Sequence, residues 1–380
     1  MTVLGTRPEI IRLSLVTRLL DEHAEHLLVH TGQNFDDRLS ELFFRELEIR
    51  KPDIFLRVRG MGYGDQVGQI LSRIEPVFNE HRPDRLLILG DTNSSLSAMV
   101  ARRMNVAVYH MEAGNRCYDF RVPEEANRRI VDHISSVLMP YTERSRDNLL
   151  REGLPPENIF VTGNPIKEVM DYYSPKINES QALANLGLEE NKFFLVTIHR
   201  AENVDSVDRF KNLVHSLILI SDKYHYPVIV SLHPRTRSRM EEFETDLDGS
   251  GIRFVEPLGF CDFIRLERSA FCILTDSGTV QEESCILGVP NVTVRDVTER
   301  PETIECGSNV LAGCDPQTIL KLVDMVTTQP AGWRPPAEYL ATDVAAAVCR
   351  IVLGFRLEGH VLQLPNSKSL SARTSIGTYR

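Results

Sequence analysis

The sequence has no long apolar run and no excess of positive charge. None of its apolar segments approaches the roughly 20 residues of a membrane-spanning helix, and no basic segment followed by an apolar one marks a signal peptide. Lysine and arginine number 43 against 53 aspartates and glutamates, a net charge of −10. This balance argues against a general binder of nucleic acid or of anionic membranes, while a local basic pocket stays compatible with it.

Paired cysteines are also missing. The seven cysteines are scattered and include no C-x-x-C pair. An odd number of unclustered thiols is typical of a reduced, cytoplasmic protein, in which most of them pack as small apolar side chains. We therefore expect a cytoplasmic location.

Common cofactor and active-site fingerprints are absent. No G-x-G-x-x-G opens the first predicted strand, where Gly5–Glu9 stands instead, which weakens a dinucleotide-binding function, and neither G-x-x-x-x-G-K-[ST] nor G-x-S-x-G occurs. His110 and Glu112 do not form H-E-x-x-H, and His199 and His233 follow different predicted strands without close partners. We expect neither a metal nor a cofactor.

What the sequence does contain is an alternation of strand-like and helix-like segments along all 380 residues, which are too many for one ordinary core. The strand-like segments, for example 85–90 and 193–199, are near-continuous apolar runs, as in a parallel sheet covered on both faces. With right-handed crossovers, such a series gives a doubly wound α/β domain. Because the series occurs twice, we predict two Rossmann-like domains.

The predicted boundaries follow from these segments. The first domain covers residues 1–168 and the second covers 169–340. Residues 341–358 carry apolar side chains at helical spacing and are predicted to pack back on the first domain, whereas 359–380 are polar and predicted to form a poorly ordered tail. Among single elements we predict one helix from Pro8 to about Glu22, a strand over 158–163 and a helix over 235–244.

Polar residues cluster at the predicted carboxyl ends of the strands, where ligands bind in open α/β sheets. Eight such segments are rich in Arg, His, Asp and Glu: 5–9, 31–34, 90–92, 110–116, 199–203, 232–235, 275–278 and 295–302. Each one alone fits an ordinary polar helix start. Together they predict a large site in a cleft between the two domains.

The stretch 273–290 reads as a buried strand, an Asp-Ser-Gly entry and a helix that ends at Gly-Val-Pro. Such a helix start suits a phosphate, because free backbone N–H groups and the positive end of the helix dipole point at it. Glu282 and Glu283, one turn later, could accept hydrogen bonds from the ribose of a nucleotide. An ordinary capped helix also favours acidic residues there, so this stretch alone leaves both interpretations open.

Three carboxylates are candidates for acid–base chemistry. Asp91 and Glu112 follow two strands predicted to be neighbours, and Glu124 follows Pro123 at a predicted helix start. Carboxylates that converge in a cleft can have pKa values pushed apart, so that one serves as acid and another as base. Salt bridges to the many nearby arginines are the alternative, and both remain open at this point.

Seven motifs together resemble the non-hydrolysing UDP-N-acetylglucosamine 2-epimerase family. They are GTRPEIIRLS, GDT, HMEAGNR, VPEEANRRIVDH, TIHRAEN, LTDSGTVQEES and VRDVTERPE, collinear from about residue 2 to residue 350. The resemblance implies two Rossmann-like domains in the glycosyltransferase-B arrangement, usually as a homodimer, with a UDP-sugar in the cleft between them.

The resemblance also implies how UDP binds. Ser277 and Gly278 would hold phosphate at the helix start, Glu283 would accept from the ribose hydroxyls, and Phe263 would lie near the uracil.

Cations from both domains would surround the diphosphate. Arg7 and His199 would lie at it, and Arg12 stands in place of a family lysine near the phosphates, where its fork can bind two oxygens. Further candidate ligands of the UDP-sugar at the same strand ends are Arg116, Arg200, His233 and Arg295.

The implied reaction inverts C2 of the sugar. No carbonyl sits beside C2, so simple deprotonation and return is unfavourable; instead a base removes the C2 proton as UDP leaves in an anti elimination, and UDP then adds back to the 2-acetamidoglucal. Two proton transfers on opposite faces need at least two positioned acid–base groups. The residues implied are Asp91, Glu112 and Glu124, with His199 as a further catalytic candidate.

The sequence departs from the common family pattern at several points. Asn34 replaces a histidine, Ala201 replaces an arginine, and the segment 115–122 is short. That segment lies where the sugar and, in some members, an activating second UDP-sugar sit, so activation by substrate is left open. It also resembles members acting on UDP-activated 6-deoxy-L-hexosamines or diacetamido-uronic acids for surface polysaccharides. The sequence does not choose among these and plain UDP-N-acetylglucosamine.

Three other functions share some of these residues. A glycosyltransferase of the same fold would share the nucleotide site but has no need for the carboxylate trio. A hydrolysing epimerase would let water capture C1. A catalytically silent sensor could lose the carboxylates freely, so their presence argues against it.

Overall fold

The computed structural model describes residues 1–33, 37–60, 62–231, 251–328 and 332–355. The first sheet has six parallel strands in the order β3-β2-β1-β4-β5-β6. They are β1 (Thr2–Leu4), β2 (Leu28–His30), β3 (Ile54–Phe55), β4 (Arg85–Leu89), β5 (Ala107–Met111) and β6 (Val137–Met139).

The second sheet repeats this order with six parallel strands, β12-β11-β10-β7-β8-β9. They are β7 (Phe194–Thr197), β8 (Val228–Ser231), β9 (Ile252–Val255), β10 (Cys272–Thr275), β11 (Asn291–Thr293) and β12 (Asn309–Leu311). In each sheet the order reverses beside the first strand of the domain, which creates a crevice at the carboxyl ends.

Helices connect and cover the strands. Those before β7 are α1 (Arg7–Arg12), α2 (Ser14–His23), α3 (Asp37–Glu46), α4 (Tyr63–His81), α5 (Ser97–Arg103), α6 (Glu124–Ile134), α7 (Glu143–Arg151), α8 (Ile166–Tyr172), α9 (Ser174–Glu179) and α10 (Ala182–Leu186). Those after β7 are α11 (Ala201–Val204), α12 (Val207–Tyr224), α13 (Phe260–Ser269), α14 (Gly278–Leu287), α15 (Pro301–Glu305), α16 (Pro316–Thr328) and α17 (Val344–Gly354). Short 3₁₀ turns cover Asn93–Leu96, Pro156–Asn158 and Ala337–Leu340.

Both faces of each sheet are buried, which explains the near-continuous apolar strands. In β4, Leu87 and Leu89 belong to the core on one face, whereas Leu86 and Ile88 belong to the core on the other. The second sheet is covered in the same way by two separate apolar clusters. The predicted fold class, two Rossmann-like doubly wound domains with a cleft between them, is confirmed.

Helix α17 lies against α2 and joins the apolar core on one face of the first sheet. The hydroxyl of Tyr109 donates to the Phe355 carbonyl at 2.9 Å, and the backbone N–H of Ala345 donates to Glu168 at 2.9 Å. Val348 is fully buried in the core of the first domain. The chain therefore returns to the first domain after the second sheet is complete.

Three details differ from the sequence expectations. The helix expected from Pro8 to Glu22 is two helices that meet at Leu13, whose φ of −87° and ψ of −3° interrupt the regular geometry. The segment 158–163 is not a strand and makes only an isolated bridge between Ile159 and Leu138, after which the chain turns at Gly163, which has a φ of +84°. Strands β3 and β12 were not anticipated. The helix expected over 235–244 and the tail expected over 359–380 lie outside the described residues.

Within the described ranges, no helix combines the length and the apolar character needed to cross a membrane.

Candidate active site

A cavity of about 610 Å³ lies between the two domains, at the carboxyl ends of strands from both sheets. Most of the side chains predicted from the sequence line this cleft. They are Arg7, Arg12, Asp91, Glu112, Glu124, His199, Arg200, Phe263, Ser277, Gly278 and Glu283.

The turn after β1 is fixed by one buried carboxylate, Glu9. It accepts hydrogen bonds from the backbone N–H groups of Gly5 (3.0 Å) and Thr6 (2.7 Å) and from the hydroxyl of Thr92 (3.1 Å). Burial raises the pKa of Glu9 to about 7, although these donors oppose the shift. The turn allows no side chain at its first position, because a Cβ on Gly5 would lie 2.0 Å from the Thr31 hydroxyl. Arg7 is thereby placed at the start of α1, facing the cleft.

Opposite this turn, the second domain presents the start of α14. Ser277 is the N-cap residue with an extended backbone, and its hydroxyl bonds to that of Thr279 rather than capping the helix. The first-turn N–H groups of α14 therefore face a cleft lined by Ser277, Gly278 and Thr279. Such a terminus binds anions through its N–H groups and dipole. A Cβ on Gly278 would come within 3.1 Å of Glu299, so this helix start is closely packed.

His199 and Arg200 are positioned by Asp276, a fully buried aspartate at the end of β10. Its carboxylate accepts from the backbone N–H groups of His199 (3.0 Å) and Arg200 (2.9 Å) and lies 3.2 Å from the His199 ring. Burial lowers the pKa of His199; Asp276 partly offsets this, and Arg200 and Arg7 lower it further. We therefore expect a neutral imidazole at physiological pH.

An apolar wall lies beyond the phosphate end of the cleft. Phe263 on α13 lines it, together with Pro257, Leu258, Phe260 and Ile264. A flat apolar surface of this kind suits a base. Glu283, one turn into α14, lines the same cleft and is 6% exposed.

Asp91 and Glu124 enter the cleft from the first domain, each paired with an arginine. Arg128 makes a fork with Asp91 through Nε (2.9 Å) and Nη2 (2.6 Å). Arg200 of the second domain reaches Glu124 at 3.1 Å and also Glu299 at 3.1 Å. One of the two carboxylates is thus held within its own domain and the other is held across the cleft.

Glu112 belongs to a ring of four charges that spans the cleft. The first domain supplies Arg12 and Glu112, and the second supplies Arg300 and Glu282. Each arginine contacts both glutamates; the Arg12–Glu112 distance is 3.5 Å, and Arg300 bonds to Glu112 and to Glu282. Burial alone would raise the pKa of Glu282, but Arg12 and Arg300 hold it below its usual value. In this structure Arg12 therefore forms ion pairs with Glu112 and Glu282, and it is 1% exposed.

Two predicted ligands, Arg116 and Arg295, are absent from the cavity lining among the described residues. Arg116 is buried and pairs with Asp132 (2.7 Å) and Glu152 (2.6 Å). Arg295 is buried and pairs with Glu299 at 2.9 Å. Both arginines are thus paired with carboxylates outside the cavity lining, and their contact with the ligand stays a prediction. His233 lies outside the described residues.

Sequence reasoning missed the residues that link the two domains. Arg300 and Glu299 line the cleft, and both lie in the TERPE motif, which gave the only available signal. Burial would raise the pKa of Glu299, yet surrounding arginines hold it well below its usual value. Those arginines are Arg295, Arg200, Arg128 and Arg300.

Comparison with known proteins agrees with this geometry. The sequence model of the UDP-N-acetylglucosamine 2-epimerase family matches residues 18–353. A UDP-N-acetylglucosamine 2-epimerase of Methanocaldococcus jannaschii is 41% identical over 342 residues, 88% of this chain and 93% of that protein. A UDP-2,3-diacetamido-2,3-dideoxy-D-glucuronate 2-epimerase of Pseudomonas aeruginosa is 37% identical over 318 residues, 82% of this chain and 88% of that protein.

Among solved structures, the M. jannaschii UDP-GlcNAc 2-epimerase in complex with UDP-GlcNAc and UDP superposes with a TM-score of 0.88. It is 38% identical, and the match covers 93% of this chain and 98% of that one. The two domains of the present chain thus share the glycosyltransferase-B arrangement of those enzymes.

Proposed function

The chain belongs to the UDP-N-acetylglucosamine 2-epimerase family, and from that premise we propose that it inverts C2 of a UDP-2-acetamido sugar without hydrolysing it. One observation carries the proposal. The phosphate-binding helix start of the second domain, Ser277–Thr279, faces Asp91, Glu112 and Glu124 of the first domain in a single cleft.

The reaction needs a leaving group to depart from C1 and a proton to move at C2. A helix start, Arg7 and the neutral His199 surround the place where the diphosphate would leave. Fixed dipoles and cations aimed at developing negative charge stabilise such a departure. UDP held there can then add back to the 2-acetamidoglucal instead of being lost to solvent.

The proton transfers fall to carboxylates whose orientation is fixed before the substrate arrives. Asp91 is held by the Arg128 fork, Glu112 by the ring of four charges and Glu124 by Arg200. Removal of the C2 proton on one face and its return on the other requires two such groups. A glycosyltransferase has no use for this trio, which is why epimerisation is the better explanation.

The sugar is a UDP-2-acetamido sugar, either UDP-N-acetylglucosamine with its manno epimer or a 6-deoxy or uronic-acid relative. Relatives with 41% and 37% identity act on UDP-N-acetylglucosamine and on a diacetamido-uronic acid, respectively. The nucleotide half of the cleft would serve both kinds of substrate, since both carry the same UDP group.

Proton NMR of the purified protein in D₂O tests the reaction and the sugar together. The protein is incubated without acceptor with a panel of UDP-2-acetamido sugars, and the epimerised product is expected to carry deuterium at C2. Epimerised product with hydrogen at C2 would falsify the elimination route. Free sugar with UDP would indicate a hydrolysing epimerase instead.

The resemblance also implies a cytoplasmic homodimer, which remains a prediction. Light scattering on the eluting protein checks the assembly, with twice the mass of one chain as the expected result.

A further inference from the structure

A second glutamate, Glu267, lies directly behind Glu283. It belongs to α13, which packs against α14, and the two carboxyl groups are close enough for each to shift the pKa of the other. Glu267 has no exposed surface, and Glu283 is 6% exposed. Leu266, Ala270 and Val280 of the surrounding apolar core are buried as well. Two carboxyl groups are thus enclosed together at the nucleotide end of the cleft.

No described residue donates a hydrogen bond to either oxygen of Glu267. A carboxylate buried without a donor is strongly destabilised, and two ionised carboxylates in contact repel each other. The contact becomes favourable when one proton is shared, because the protonated group is then the donor and the other the acceptor.

The charges around the pair decide which glutamate holds the proton. Burial raises the pKa of Glu283 to about 7; Arg12 opposes this and Glu282 adds to it. Burial and the neighbouring Glu283 raise the pKa of Glu267 well above its usual value, and no cation offsets this within the described residues. Arg12 thus favours the ionised form at Glu283, and the proton is favoured on Glu267, which is fully buried and has no donor to its oxygens.

Other charged groups on the neighbouring helices face different partners. Those pairs are Arg265 with Glu190, Arg268 with Asn178, Lys176 with Glu48, Asp262 with Ser180, and Glu46 with the backbone N–H groups of Phe260 and Cys261. Apart from burial, the pKa values of Glu267 and Glu283 are therefore set chiefly by their mutual interaction and, at Glu283, by Arg12 and Glu282.

We propose that Glu267 is a positioning residue for the nucleotide: it donates a shared proton to one oxygen of Glu283 and leaves the other oxygen free to accept from the ribose diol. The inference rests on the proposed function, since the diol is that of the UDP moiety. Without the donor, Glu283 would lose the bond that fixes its orientation or take up the proton itself, and a protonated Glu283 accepts hydroxyl protons poorly. Glu267 touches neither the sugar nor the diphosphate and acts only through Glu283.

Calorimetric titration with UDP across a pH series tests the inference with two variants. Glu267→Gln keeps a donor that cannot ionise, so the affinity at neutral pH should stay within about threefold of the wild type. Glu267→Leu removes the donor and should lower the affinity for UDP about tenfold or more. A loss of this size is the scale of a hydrogen bond to a charged group. The change should appear in KM, with kcat nearly preserved.

The pH profile separates positioning from mere packing. Wild-type affinity should decline at alkaline pH as the shared proton is lost, whereas the Glu267→Gln variant should lack that decline. Asp262→Asn, on the same helix but bonded to Ser180, is the matched control and should behave as the wild type. An infrared difference spectrum of wild type minus Glu267→Gln at neutral pH should contain a protonated-carboxyl band.

Two outcomes overturn the inference. One is a Glu267→Gln variant as weak as Glu267→Leu, and the other is a wild-type pH profile identical to that of Glu267→Gln. If Glu267→Leu does not fold, the inference is still tested by the pH profiles of the wild type and Glu267→Gln and by the infrared band of the protonated carboxyl group. Failure of the proposed function is distinct from both, because the wild type would then not bind UDP or not epimerise any sugar.

Discussion

Glu112 is held by its own backbone as well as by its ion pairs. Its φ of +63° lies in the left-handed region, where a side chain other than glycine costs about 1–2 kcal/mol. The neighbouring Gly90 has a φ of +70°, which favours glycine, and a Cβ there would only touch the Glu112 carboxylate, at 3.7 Å. The conformation directs the carboxylate from the end of β5 toward Arg12 and Arg300.

The amide variants Asp91→Asn, Glu112→Gln and Glu124→Gln preserve shape and remove proton transfer. We expect turnover to fall by about 10²–10⁴-fold for each group that acts as acid or base, and deuterium incorporation at C2 to fall with it. Glu143→Gln, on the exposed start of α7, is the control and should turn over normally. Near-normal turnover of all three folded variants would mean that the trio only forms salt bridges.

Arg300 bridges two glutamates, so its removal should be costly. Arg300→Met leaves Glu282, which is 1% exposed, with one cation, and Glu112 loses its closest one. Breaking a buried pair destabilises by about 3–5 kcal/mol, to be measured by urea unfolding. Arg144→Met removes an exposed pair with Glu305 and should change stability by less than about 1 kcal/mol. Equal losses in both variants would contradict the importance of the ring.

The carboxyl pair behind the ribose site predicts how stability changes with pH. The folded pKa values of Glu267 and Glu283 are raised, so the folded state holds protons that the unfolded chain loses above its usual glutamate pKa. This contribution is therefore complete in acid and falls as pH rises through about 7. Glu267→Gln should gain stability relative to wild type by about 1–3 kcal/mol between about pH 5 and about pH 8, measured by denaturant unfolding. A constant difference over that range would contradict the raised pKa values.

The site residues were predictable to the extent that each stands at a strand end. Asp91, His199 and Ser277 could be named because a polar motif follows an apolar run, and parallel strands bring such motifs to one edge. Arg300 and Glu112 could not be paired, since 188 positions separate them and nothing local requires their contact. The burial of Arg116 could not be predicted either, because its partner Asp132 comes close only when α6 packs against β5.

At the scale of elements, apolar runs predicted the central strands well and the edges poorly. Strands β4, β5, β7 and β10 are buried on both faces, so their sequences carry the signal. Strand β3 has only two residues, one of them exposed, and its pattern is too short to recognise. The break at Leu13 lets α1 direct Arg7 and Arg12 into the cleft while α2 packs on the core, and this depends on tertiary contacts.

Gly163 marks the point at which the first domain meets the returning chain. Its φ is +84°, and a Cβ there would lie 2.6 Å from the Cβ of Ala341 and 3.0 Å from the Glu338 carbonyl. Gly163→Ala should therefore lower the free energy of unfolding by about 2–4 kcal/mol, from backbone strain and overpacking together. Gly153→Ala is matched in φ, at +82°, with no described atom within 4 Å, and should cost only about 1 kcal/mol. Similar losses in a thermal or urea scan would show that the close contact is unimportant.

At the scale of the whole molecule, one ligand should contact both domains. Arg7 belongs to the first, whereas His199 and Ser277 belong to the second, and all three line the cleft. A diphosphate between them should draw the domains together, as in other hinged enzymes. Small-angle scattering should give a smaller radius of gyration with UDP than without it, whereas uridine, which lacks phosphates, should leave the radius unchanged. An identical radius with and without UDP would count against closure.

The ring of four charges has a consequence for how such proteins can recombine. Each domain contributes one arginine and one glutamate to it, so each half of the ring is neutral by itself. A chimera that joins the first domain of this chain to the second domain of a relative with the same two residues would rebuild the ring without a charge mismatch. In this respect the two domains can be exchanged between relatives that keep Arg12, Glu112, Glu282 and Arg300.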